Sequence, residues 1–335
     1  MQADWQQFMA SRGAVIEDGM VQHFGDFHAE VTAASREDIV CDLGQYATLR
    51  VSGEDAQSFL QNLLSNDIKE VSPSRSQHSS FNTAKGRMLA SFLIWMEGSD
   101  YLLMLPSALS EMLRKKLSMY VLRAKVKIQQ DENILLGISG PAIKPPLDCG
   151  ERMGVAREGS TTVIRLDDAR FLLHTAPDQA GALWDAFASH AKPAGSACWD
   201  WLNVRAGIPV IVAKTQEEFV PQMVNLDLIG GISFKKGCYP GQEIVARMHY
   251  LGKLKRRMYL AHVDGYAEPG DHLYSEDMAG QSNGIIANAA PSPAGGCDVL
   301  AVVQISSHDG HPIHLGSIEG KTLRFEPLPY ALPAA

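Results

Sequence analysis

Periodicity constrains this chain more than any single motif, because it changes character once, near residues 250–258. Before that point, strands and helices alternate. "YATLRVS" (46–52) alternates like a half-buried strand. "EDAQSFLQNLLSND" follows with apolar Ala56, Phe59, Leu60, Leu63 and Leu64 on one helical stripe. "HSSFNTAKGRMLASFLIW" and "YLLMLP" read as strands separated by an "EGSD" turn, and "SALSEMLRKKLSMYVL" reads as an amphipathic helix with Ser107 as N-cap. "AKVKIQQ" and "ILLGISG" return to strand. A second round follows: "TTVIRL" and "RFLLHT" as a hairpin, a helix opened by Pro177, and a short helix "CWDWLNVRAG" ended by Gly207.

After residue 255 only short strands remain ("RRMYLAHV", "DHLYS", "NGIIANAA", "VLAVVQIS", "TLRFEPLP"), separated by the turn signals "GYAEPG" and "PSPAGG". The expectation is an α+β protein in three parts. Residues 1–130 and 131–250 form two α+β units and 251–335 a small β-barrel. At 335 residues the chain is too long for one ordinary core.

Composition narrows the function classes. The hydrophobic share of 45% and charged share of 20% are those of a globular protein. No apolar run approaches the roughly 20 residues that span a bilayer. The N-terminal stretch has no basic start and apolar block, so no secretory signal is expected. A formal net charge of −8 argues against a dedicated nucleic-acid coat but leaves room for basic patches. Two such runs occur without an acid. One is 114–127, with Arg114, Lys115, Lys116, Arg123, Lys125 and Lys127; the other is 247–257, with Arg247, Lys253, Lys255, Arg256 and Arg257. Each could meet phosphates, a folate polyglutamate tail or, with least support, tRNA, and each could equally be a solvated face. The five cysteines (Cys41, Cys149, Cys198, Cys238, Cys297) are scattered and form no CxxC. Neither a disulfide framework nor a self-sufficient metal site is indicated, and a reducing cytoplasm is expected.

Cys238 has the most pointed surroundings. In "KKGCYPGQE", Lys235 and Lys236 precede it, while Pro240 and Gly241 open a short helix. Cations and a helix N-terminus both favour thiolate over thiol, and thiolates attack electrophiles or ligate iron. On spacing alone, a small buried side chain in a turn is the commoner role. Lys85-Gly86-Arg87 interrupts a strand pair, as a turn, a bulge or a close ligand approach would. Trp199, Trp201 and Tyr46 could stack on a flat heterocycle, although most tryptophans are core.

Together these segments are more specific than any alone. "KGCYPGQE" resembles the K-G-C-Y-x-G-Q-E signature of the YgfZ-type folate-binding proteins, and "AKGRM" resembles their second signature. The likeness covers about residues 38–330. The wider superfamily is that of the glycine-cleavage T-protein, an aminomethyltransferase. The resemblance implies a T-protein-like cloverleaf of two ferredoxin-like α+β units and a small C-terminal β-barrel around a folate-sized hole. It implies tetrahydrofolate, or a one-carbon derivative, as cofactor. It also implies a role in assembling or repairing iron–sulfur clusters, with iron–sulfur assembly proteins and client enzymes as partners and tRNA modification as the readout.

Carried over by position, the cysteine-motif residues are Lys236, Gly237, Cys238, Tyr239, Gly241, Gln242 and Glu243; the hairpin gives Lys85, Gly86 and Arg87. Folate-associated tryptophans fall at Trp199 and at Tyr46, where tyrosine keeps a stacking face. Cys238 would act as a transient ligand to iron or cluster, since one cysteine cannot hold a cluster alone. T-proteins place a catalytic aspartate near "AKGRMLAS", but residues 81–96 contain no carboxylate. Loss of transferase chemistry is therefore expected. The rival reading is a true folate-dependent aminomethyltransferase using an acid elsewhere.

Overall fold

The computed structural model describes residues 2–250, 252 and 254–333; Lys253 of the second basic run lies outside them. The fold is α+β. Its chain divides into two compact units, neither contiguous. One comprises residues 1–59, 68–77 and 93–199, the other 60–67, 78–92 and 200–335. Residues 251–335 fall together in the second unit, whereas 1–130 and 131–250 are each shared between the two.

In the first unit a six-stranded sheet runs in the order Val155–Glu158, Thr161–Arg165, Arg170–Thr175, Ile134–Ser139, Ile39–Asp42 and Lys192–Ala194. Its centre, Arg170–Thr175 against Ile134–Ser139, is buried at every position. Helices Ala3–Ser11 and Pro177–Ala188 cover one face, where Trp5, Met9, Leu136, Leu173 and Trp184 form a common core. Trp5 stacks on Phe8 and meets Trp184 edge-on. Each such large apolar side chain contributes about 1.5–3 kcal/mol by leaving water. Helix Ala3–Ser11 lies outside the segments that the sequence periodicity marks.

The same unit holds Asp100–Pro106, Tyr46–Ser52 and Lys127–Gln130, paired antiparallel in that order. Ser107–Ser118 is helical, but Ser107 begins the helix and Pro106 precedes it, with no side-chain cap. Ser107 is therefore not the N-cap. A buried charge network ties this region together. The Arg50 guanidinium donates to Glu97 (2.9 Å), Asp131 (2.7 Å) and Asp100 (3.3 Å). His174, wholly buried, places Nδ1 2.7 Å from Glu97 and Nε2 2.9 Å from Asp131. Burial alone would lower the His174 pKa, but the two carboxylates outweigh it and raise it.

In the second unit, strands 256–326 form a curled half-barrel ordered His314–Leu315, His272–Tyr274, Gly284–Pro291, Cys297–Gln304, Arg256–Val263, Arg324–Glu326. Alternate inward residues Ala261, Val263, Val299, Ala301 and Val303 fill it. The run 54–67 is helical only over Ala56–Gln61. Beyond it Leu64 bridges to Phe81, and the Ser65 amide donates to the Ser80 carbonyl (2.9 Å). Pairing with a strand replaces the last helical turn. Among the described residues no helix is long and apolar enough to cross a membrane.

Candidate functional site

Two glycines bring the two signatures together. After strand Gln77–Asn82, the chain turns through Thr83–Arg87, closed by Gly86 N–H to Thr83 O (2.9 Å) and Thr83 N–H to Arg87 O (2.8 Å). Gly86 has φ +71° and Gly241 φ +81°, left-handed values that favour glycine. A Cβ on Gly241 would stand 2.5 Å from both the Gly86 Cα and the Thr83 carbonyl oxygen. The "AKGR" turn and the "PGQE" turn thus touch backbone to backbone, leaving no room for a side chain. The Arg87 guanidinium, donating to the Glu218 carbonyl, and Met88 N–H to Phe219 O (2.8 Å) fasten the turn from its other side. Lys85 is exposed.

Lys236 has its ammonium held by backbone carbonyls. Its side chain is 7% exposed, and Nζ donates to the carbonyls of Gln61 (2.7 Å), Leu64 (2.5 Å) and Asn66 (2.9 Å). Those carbonyls lie at and just beyond the C-terminal end of helix Ala56–Gln61, the negative end of its dipole. Burial pulls the ammonium pKa down to about 8, yet all three N–H donors of the charged form are satisfied. The Tyr239 ring lies 5.2 Å from Nζ, is buried, and has its phenol pKa pushed up by that burial.

Between these two fixed points, Gly237 and Cys238 are exposed. The other four cysteines are buried, and burial raises the thiol pKa of Cys149 and of Cys297. Helix Gln242–Tyr250 begins four residues after Cys238, with Glu243 exposed in its first turn and Gln242 N–H bonded to Tyr239 O (3.1 Å). Among the described residues no group of three or more His, Cys, Asp or Glu is arranged to hold a metal ion.

A polar cluster absent from the sequence reading supports the Lys236 cage. The Ser65 hydroxyl donates to Gly231 O (2.8 Å), and Asn66 Nδ2 donates to His78 O (2.9 Å) and Gly230 O (2.7 Å). Its only sequence signal is the pair "LSND" and "HSSFN", polar residues inside apolar runs.

Of the candidate aromatics, Trp199 and Tyr46 fall in the first unit, while Trp201, buried and donating from Nε1 to Asp298 (2.8 Å), falls in the second. Trp199 is 1% exposed, packed over Gly137 with the Arg170 guanidinium 5.9 Å from its ring centroid; no ring face is open. Tyr46 lines a cavity of about 570 Å³ together with Trp5, Asp42, Thr48, Ser107 and Asp131. Its lining has three carboxylates (Asp42, Asp131, Glu132) and no Lys, Arg or His. Asp42, 2% exposed, accepts from Trp5 Nε1 (2.7 Å) and Gly44 N–H (3.0 Å), and burial raises its pKa to about 6. Among the described residues the buried Thr48 hydroxyl has no hydrogen-bond partner, which leaves it able to bond a polar group in the cavity.

The fold is shared with a solved aminomethyltransferase of the glycine cleavage system from Bartonella henselae, with a TM-score of 0.80 over 97% of this chain and 96% of that one at 15% identity. Residues 2–146 match the GCVT N-terminal domain family. The class is thus the aminomethyltransferase-like fold. Within it, the chain is 30% identical over 301 residues to the tRNA-modifying protein YgfZ of Escherichia coli (strain IAI39) and 31% identical over 304 residues to that of Shigella dysenteriae serotype 1, covering 87% of this chain and 92% of each relative. The chain belongs to the YgfZ family.

Proposed function

We propose that the chain is a tetrahydrofolate-binding accessory protein for iron–sulfur cluster assembly or repair, working in the cytoplasm and acting on tRNA modification through the iron–sulfur enzymes that thiolate tRNA. The observation that carries this reading is the presentation of Cys238. One cysteine of five is exposed, on a turn fixed by the Gly86–Gly241 contact and by the Lys236 carbonyl cage. Buried structural cysteines need no such framework. A rigid, accessible thiol suits brief ligation of iron or of a cluster passed between assembly proteins and client enzymes, with the thiol proton released to solvent.

Folate fits the donor set of the first unit's cavity. The amino-oxo edge of a pterin presents N–H donors, which Asp42 accepts when ionised, and its ring oxygen and nitrogens can accept from Thr48. Tyr46 offers the apolar face, and Trp199 acts through packing beneath the sheet. Bound tetrahydrofolate would supply a one-carbon carrier. Aminomethyl transfer is not part of the reading, because residues 81–96 contain no acid and Glu97 is engaged by Arg50, Thr162 and His174.

The test is activity of iron–sulfur enzymes in a strain lacking its own family member and supplied with this chain. Wild type should restore it and Cys238→Ser should not; equal restoration by both would refute the reading.

A further inference from the structure

We propose that the outer face of helix Gln242–Tyr250 binds single-stranded RNA, by stacking a base on an aromatic corner flanked by cations. The inference goes beyond the folate and cysteine reading and stands independently of it. Phe234 and His249 stack with centroids 3.7 Å apart and planes 13° from parallel. Tyr250 stands almost perpendicular to both, 4.7 Å from His249 at 81° and 6.3 Å from Phe234 at 73°. A two-ring stack with a wall at its side is the shape that a third flat ring extends. His249 is exposed and Tyr250 is 64% exposed, so the corner opens to solvent.

Cations frame it. Lys235 adjoins Phe234, and Arg247 lies one helical turn from Tyr250; both are exposed and neither forms an ion pair among the described residues. From Arg247 to Arg257 the sequence contains no acid. The helix is held from below by buried Val245 and by Gln222 Nε2 donating to the Val245 carbonyl (2.6 Å), so the exposed side chains are not needed for its packing. Aromatic stacking with cations along a backbone track is how sequence-tolerant proteins hold unpaired strands. A partner protein with an acidic surface would meet the cations but would not need the open ring stack. Among the described residues, Ile244, 38% exposed, is the one large aliphatic side chain of this helix that is exposed.

The experiment is fluorescence anisotropy with a labelled oligouridylate, an unmodified tRNA transcript and a blunt RNA duplex at low salt, using full-length protein. The single strand and the transcript should bind more tightly than the duplex. His249→Ala combined with Tyr250→Ala should weaken binding about tenfold or more. Lys235→Ala with Arg247→Ala should weaken it and flatten its salt dependence. Tyr266→Ala, 80% exposed elsewhere, should change nothing. His249→Ala with Tyr250→Ala should keep wild-type Cys238 alkylation and folate binding, which separates this test from the proposed function. No binding by wild type, or full binding by the double aromatic variant, overturns the proposal. Binding of a polyglutamate peptide instead of RNA, lost in the same variants, would reassign the face to an acidic protein.

Discussion

Gly86 and Gly241, 155 positions apart in sequence, meet so closely that a methyl group on Gly241 would lie 2.5 Å from the Gly86 Cα, and one on Gly86 would lie 3.1 Å from the Ile244 Cβ. Gly241→Ala should therefore cost several kcal/mol, combining steric displacement with a left-handed φ. Gly237→Ala, whose Cβ would meet nothing within 4 Å, should cost under about 1 kcal/mol. Urea denaturation of the two variants checks the contrast; equal losses would mean the glycine contact does not fix the turn.

Lys236 is the second fixed point. Lys236→Met leaves three backbone carbonyls, two of them buried, without this donor, a loss of about 2–4 kcal/mol. Lys236→Arg, too large for the cage, should recover little. Limited proteolysis should find the 230–240 segment cut faster in both. If Lys236→Met melts like wild type and resists cleavage equally, the cage is not structural.

Asp42 links folate binding to pH. Its folded pKa, about 6, lies above the unfolded value of about 3.9. Such a group contributes most stability below pH 4 and loses it as pH rises through 6, a cost of order 3 kcal/mol by pH 7. Ionisation, however, makes the acceptor that a pterin edge needs. Calorimetric titration of tetrahydrofolate should tighten from pH 5 to pH 7, and Asp42→Asn should bind weakly with a flat profile. Affinity that is independent of pH in wild type would remove Asp42 from the ligand site.

Much of this was legible in the sequence because local patterns decided it. Strand Tyr46–Ser52, helix Pro177–Ala188 and the run of short strands after 255 follow from alternation, a proline start and turn residues. The failures are long-range. Helix Ala56–Gln61 stops early because Ser65 and Asn66 bond to partners distant in sequence, which no helical stripe records. Trp5 and Asp42 are paired across 37 positions. The motif marks Lys236, but a flexible four-carbon stem can carry its charge in several directions, and only the structure places it against the carbonyls of Gln61, Leu64 and Asn66.

The charge network of the first unit gives a separate stability signature. Glu97 and Asp131 carry opposing influences: burial raises their pKa, while His174 and Arg50 lower it, and the lowering prevails. Their contribution is present above about pH 4.3 and is lost as pH falls. His174, raised, contributes fully below about pH 6.5 and loses its share as pH rises through its folded value. Glu97→Gln should cost about 3–5 kcal/mol, and His174→Asn should abolish the alkaline decline. A decline unchanged in His174→Asn would assign it elsewhere.

Loss of aminomethyl transfer is checked with a loaded aminomethyl carrier and tetrahydrofolate. Methylene-tetrahydrofolate should stay at background, since residues 81–96 offer no acid. Steady turnover would restore the transferase reading.

The central claim is that the exposed thiol of Cys238 is what the framework exists to present. The most direct measurement is the level of thiolated nucleosides in tRNA, by mass spectrometry, from a strain lacking its own family member and expressing this chain or its variants. Cys238→Ala removes one sulfur from an exposed turn, so folding and folate affinity should match wild type, as a thermal melt and a titration on the purified variant would show. Thiolated nucleosides should rise to normal with wild type and with Cys41→Ser, and remain at the deletion level with Cys238→Ala. Full restoration by a folded Cys238→Ala protein would contradict the account.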